Sequence, residues 1–154
     1  MRTLSRAASE IRMSEFRVPV VLWGVASLQV VMALIASVAD WPAQLSTDRT
    51  SPGGVVEWLV KGSAVSAPLV FIAGMVVTGA MAARRGALGM VGDGLAMPIA
   101  VILVVASLGE SFAEGPVTAP RAVLIGSGVL GIMLALLIIG AVIHDVRLRR
   151  RSHA

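Results

Sequence analysis

The sequence predicts an all-α integral membrane protein, an antiparallel four-helix transmembrane bundle with both termini in the cytoplasm. Two observations carry that prediction. Four apolar stretches, Val18–Ala39, Ser63–Ala83, Leu95–Phe112 and Ala122–Ile143, dominate the 154-residue chain. Crossing a hydrocarbon layer of about 30 Å takes about 20 apolar residues at about 1.5 Å of rise each. The second observation is where the arginines lie. If all four stretches cross, Arg2, Arg6, Arg12, Arg17, Arg84, Arg85, Arg147, Arg149, Arg150 and Arg151 share one side, and only Arg49, Lys61 and Arg121 occupy the other. Loops rich in Lys and Arg stay cytoplasmic, so the charge count sets the orientation and favours an even number of crossings. The expected location is the plasma membrane.

Composition agrees. The chain is 56% hydrophobic with a mean hydropathy of +0.87, well above the balance of a soluble domain. Its sequence pI of about 11.3 does not point to nucleic acid, because the basic residues flank apolar runs and form no aromatic-interleaved stripe. The expected surroundings are the lipid bilayer and a second copy or another membrane subunit. There is no cysteine, which excludes disulfides and thiolate metal sites. No cofactor and no metal site is expected.

Residues 1–17 form a basic tail, and Ile11, Met13 and Phe16 would let it rest on the membrane surface. The first span, 18–39, opens at Pro19, with Trp23 and Trp41 marking its two interfaces. Ser37-Val38-Ala39 resembles a signal cleavage site, but the preceding apolar run is longer than the 7–15 residues typical of a signal peptide. Residues 40–62 make the external loop, where Ser51-Pro52-Gly53-Gly54 marks a turn and Val55–Lys61 reads as a short interfacial helix anchored by Trp58. The second span, 63–83, carries Pro68 in its opening turns and ends at Arg84-Arg85. The third, about 94–112, is expected to start with Asp93 as its N-cap, which leaves Pro98 near the N-terminus and Gly86–Gly92 as a flexible connection. The fourth, 122–143, leads into a basic tail at 145–154.

Inside lipid, helices meet where small side chains let backbones approach. Residues four apart share a face. Gly74, Thr78 and Ala82 form such a stripe on the second span, Gly92, Ala96 and Ala100 on the third, and Ser127, Gly131 and Ala135 on the fourth. Ala26, Gln29, Ala33 and Ser37 form a more polar face on the first.

Ionisable groups within a membrane are the default pointer to function, and no such group lies near the centre of a predicted span. The residues left as a polar pathway are Gln29, Asp93, Glu110 and His144. Gln29 reads first as an interhelical hydrogen-bonding group. Asp93 reads as a helix cap, Glu110 as a solvated charge near Arg121, and His144 as dipole complementation at a helix C-terminus. Gly86, Gly89, Gly92 and Gly94 lack the Lys-Ser/Thr of a phosphate loop. Ser107 and Ser111 lack a positioned base. The chain therefore reads as a non-enzymatic accessory or structural membrane protein acting through helix contacts. The alternative is a small transporter or channel for a neutral or lipophilic solute, with Gln29, Thr78, Ser107 and Ser127 as its polar contacts.

Overall fold

The computed structural model describes residues 17–41, 55–63, 65–84, 86–111 and 119–151, with the backbone alone described at 55, 59, 110, 111, 150 and 151. The described residues form five helices: α1 Arg17–Val38, α2 Val55–Lys61, α3 Leu69–Ala82, α4 Ala87–Ser111 and α5 Arg121–Arg151. Three of them, α1, α4 and α5, are long and apolar enough to cross a membrane. The described residues form no strand, and the three long apolar helices point to a membrane protein. α1 packs on α3, α3 on α4, α4 on α5, and α5 returns to α1. The shared interior holds Leu22, Met75, Ala96, Ala100, Ala135 and Ile138.

The second apolar stretch departs from its predicted form. α3 has 14 residues and measures about 21 Å, whereas the sequence predicts helix from Ser63. Residues 62, 63 and 65–68 instead form a tight turn. Gly62 has φ +78°, a left-handed conformation that favours glycine. Pro68 lacks an N–H and disfavours helical geometry at the residue before it. Between them, the Ser63 N–H donates to the Ser66 carbonyl at 2.9 Å and the Ser66 N–H returns the bond at 3.3 Å. Their hydroxyls meet at 2.7 Å, and Ser63 Oγ accepts from the Val65 N–H at 3.3 Å. Ser63 and Ser66 are buried. Irregular backbone at membrane depth is tolerated only where such partners exist.

The third apolar stretch also departs, in the opposite direction. α4 starts at Ala87, so Asp93 lies inside the helix rather than at its cap, Gly86–Gly92 is not a flexible connection, and Pro98 falls mid-helix. The reason is packing. Gly86, at φ +74°, makes the break directly after α3. A Cβ at Gly92 would fall on the Ala82 backbone nitrogen and lie 2.7 Å from its Cα. One at Gly89 would strike the Arg84 carbonyl oxygen. Glycine in a helix costs about 1 kcal/mol against alanine. Here that cost is offset by backbone-to-backbone approach between α3 and α4.

At the end of α1, Trp58 of α2 is buried and its indole N–H donates to the Trp41 carbonyl at 3.0 Å. Trp41 packs in turn against Ala119 and Leu124. Trp23, expected at an interface, lies across α3, where Gly79 leaves room for its ring and the Val76 carbonyl accepts its N–H at 3.2 Å.

Candidate functional site

Two polar features interrupt the apolar interior. They lie about 16–27 Å apart along the helix axes, from the residue separations at about 1.5 Å each.

The first is a cavity of about 560 Å³ bordered by all four packed helices and the 62–68 turn. It exists because α3 starts late. The residues that would continue α3 toward its N-terminus fold into the turn, leaving open space beside the C-terminal halves of α1 and α4 and the N-terminal half of α5. Leu28, Met32, Phe71, Leu103 and Leu134 make its walls apolar. Its polar lining is Gln29, Ser66, Ser107 and Ser127, and no ionisable residue lines it among the described residues. Gln29 is 8% exposed, and its Oε1 accepts the Ala67 N–H at 2.7 Å. That bond fixes the amide orientation, because an N–H must face the oxygen. The Nε2 donors make no hydrogen bond among the described residues. Ser127 Oγ donates to the Leu124 carbonyl at 2.9 Å and keeps its lone pairs as acceptors. Ser107 sits against Gly131, where a Cβ would meet its hydroxyl.

The second feature is a charged cluster at the end of the helices where the basic residues gather. The Arg149 guanidinium lies 2.9 Å from Asp93 Oδ2, whose side chain is 4% exposed. Asp145, one helical turn before Arg149, is equally buried and accepts the Val18 backbone N–H. It thereby satisfies one of the orphan donors that open every helix. His144 Nδ1 stands 3.7 Å from Asp145 Oδ1, too far for a hydrogen bond. A Cβ at Gly89 would come within 3.2 Å of Arg149 Nη1, so that glycine makes room for the guanidinium. The cluster fastens the start of α1 and the start of α4 to the end of α5.

The remaining residues singled out from the sequence are distributed as follows. Thr78 and Ala82 are buried on α3, while Gly74 faces outward with nothing within 4 Å of an added Cβ. Gly131 and Ala135 are buried on α5 and Ser127 is half-buried beside the cavity. Thr78 does not line the cavity, but Gln29, Ser107 and Ser127 do. Asp93 and His144 fall in the charged cluster, well away from Gln29. Glu110 belongs to α4, and its side chain lies outside the described residues, as do Glu114, the tail 1–16 and the loop 42–54.

Sequence reasoning missed three participants. Ser66 was read as interior helix, although Gly62 and Pro68 six residues apart around two serines are a break signal. Asp145 and Arg149, four apart on one helix, both fall in the stretch the sequence reads as a basic tail, 145–154, whereas the helix continues to Arg151. Ala67 leaves no sequence signal, because it contributes only a backbone N–H.

No protein-family model, no curated protein and no solved structure matches this chain.

Proposed function

We propose that the chain is a multi-pass plasma-membrane protein that binds and carries a neutral, largely apolar solute. Its helices form an antiparallel four-helix transmembrane bundle with both termini cytoplasmic. In this reading the second crossing is interrupted: α3 falls short of the roughly 30 Å core, and the turn at 62–68 together with α2 supplies the remainder. The observation that carries the function is the cavity. Its volume lies in the 300–1,000 Å³ range of small-molecule sites, its walls are apolar, and its polar groups are few and uncharged. A charged solute would find no counter-ion among the described lining residues, and leaving it unpaired in such a site is strongly unfavourable. Beyond the cavity, Met75, Ile99 and Ile138 close the interior, which favours a carrier over an open channel.

The test is efflux from proteoliposomes. Vesicles containing the chain should release at least one neutral apolar solute of a size-graded panel faster than protein-free vesicles. Gln29→Leu should abolish the excess. Equal release with and without protein across the panel would remove the proposal.

The helix-contact role expected from the sequence is the second reading. It is favoured by Gly24 of α1 and Gly74 of α3, small residues with open space outside them, where another helix can approach closely. A monomer in nanodiscs that crosslinks to nothing in native membranes would count against it.

A further inference from the structure

We infer that the ligand of this cavity carries a hydrogen-bond acceptor, a carbonyl or ether oxygen without charge, and enters sideways from the hydrocarbon between α3 and α4. The inference rests on the cavity reading above and narrows it to a chemical class and a route.

The class follows from the donor balance. A buried primary amide has two N–H donors and one acceptor oxygen. Gln29 spends its oxygen on the Ala67 N–H, which the start of α3 cannot satisfy by itself. Gln29 as a whole is 8% exposed and lines the cavity, and its Nε2 makes no hydrogen bond among the described residues. Two donors without an acceptor are a standing cost in a low-dielectric interior. The Ser127 hydroxyl proton is already directed at the Leu124 carbonyl, and the Ser63 and Ser66 hydroxyls share one hydrogen bond that uses one of their two protons. Among the described residues the donors in need of a partner are therefore those of Gln29 and the other proton of that serine pair, and what they require is an acceptor. A hydrocarbon leaves them unmet. A carboxylate would meet them but bring a charge into a site lined by no ionisable residue among those described. A neutral carbonyl or ether oxygen on an apolar body meets both conditions.

The route follows from exposure. Among the lining residues, the open ones belong to two neighbouring helices. Val70 of α3 is 78% exposed and Ile102 of α4 is 50% exposed. Ala106 and Gly109, further along α4, are also open. The linings from α1 and α5, by contrast, are half-buried or buried. At their other ends α3 and α4 are locked together where Gly92 meets Ala82, so the two helices make a slot closed at one end. In a bilayer such a slot faces acyl chains rather than water.

Photolabelling of the full chain in nanodiscs tests both parts. Three probes of matched length carry the same diazirine: a methyl ketone, the parent alkane and the fatty acid. The ketone should place adducts on cavity residues of α1, α4 and α5, and unlabelled ketone should compete them away. Labelling by the alkane and the acid should be about fivefold to tenfold weaker, the scale of one net hydrogen bond. Gln29→Met should reduce ketone labelling to the alkane level. Ala106→Phe, at the open rim and clear of Gln29, should block labelling by all three probes while leaving thermal stability unchanged. That variant guards against the possibility that Gln29→Met disturbs the turn. Equal cavity labelling by ketone and alkane would overturn the acceptor requirement and leave the carrier proposal standing. Cavity labelling undiminished by Ala106→Phe would overturn the lateral route. No competable cavity adduct from any probe would overturn the inference and the proposed function together.

Discussion

Removal of Arg149 is the perturbation whose cost the structure fixes best. In Arg149→Met the Asp93 carboxylate loses a guanidinium at 2.9 Å while its side chain stays 4% exposed. Asp145, also buried, loses the same neighbour and keeps the Val18 N–H and His144 at 3.7 Å. Breaking a buried pair from one side costs about 3–5 kcal/mol. Two effects lower that figure. The Arg149 side chain is 33% exposed, so solvent already screens part of the attraction. The abandoned carboxyl can also take up a proton, and for an unperturbed aspartate at pH 7 that costs about 4 kcal/mol, which is a ceiling. The expected loss is about 2–4 kcal/mol, and at about 2–4 °C per kcal/mol for a chain of this size it lowers Tm by roughly 6–12 °C for the middle value. Thermal unfolding of the purified protein in mild detergent, followed by circular dichroism, measures it. Asp93→Asn in the Arg149→Met background should recover at least half of the loss, because the stranded charge is gone. A single variant within about 0.5 kcal/mol of the parent, or a double variant whose losses simply add, would refute the claim that this pair holds α4 to α5.

Three further outcomes are expected. Gly92→Val should destabilise the protein by more than about 3 kcal/mol, because its side chain must enter the Ala82 backbone. Gly94→Ala, two positions along the same helix with open space around it, should be neutral or stabilising by up to about 1 kcal/mol, and the same thermal measurement compares them. Reporter fusions at residues 1 and 154 should report the cytoplasm in both cases, and opposite compartments would undo the even-crossing topology.

The contrast between those two glycines shows why part of the fold was illegible. Gly86, Gly89, Gly92 and Gly94 look alike in a sequence, and their density reads as a flexible connection. Gly86 makes a turn, Gly89 and Gly92 admit neighbouring backbone and a guanidinium, and Gly94 contacts nothing. Propensity counts all four against helix, and only contact with α3 and α5 reveals that two of them favour it. The same holds for Asp93. An acidic residue ahead of an apolar run satisfies the N-cap pattern, and the partner that explains it, Arg149, is 56 residues away. Gln29 was legible as a polar group in an apolar helix that needs a partner. Its acceptor role toward Ala67 was not, because a backbone N–H is free only where a helix begins, and that start depends on the turn at 62–68.

Composition and spacing alone determine that the chain is helical and belongs in a membrane, because apolar runs of this length have no other stable solvent. They also determine which faces are small enough for close packing. Tertiary structure decides where helices begin and which charges pair. It also decides that the late start of α3 leaves a space facing Gln29. A cavity is a property of what neighbouring segments fail to fill, and no single segment encodes it.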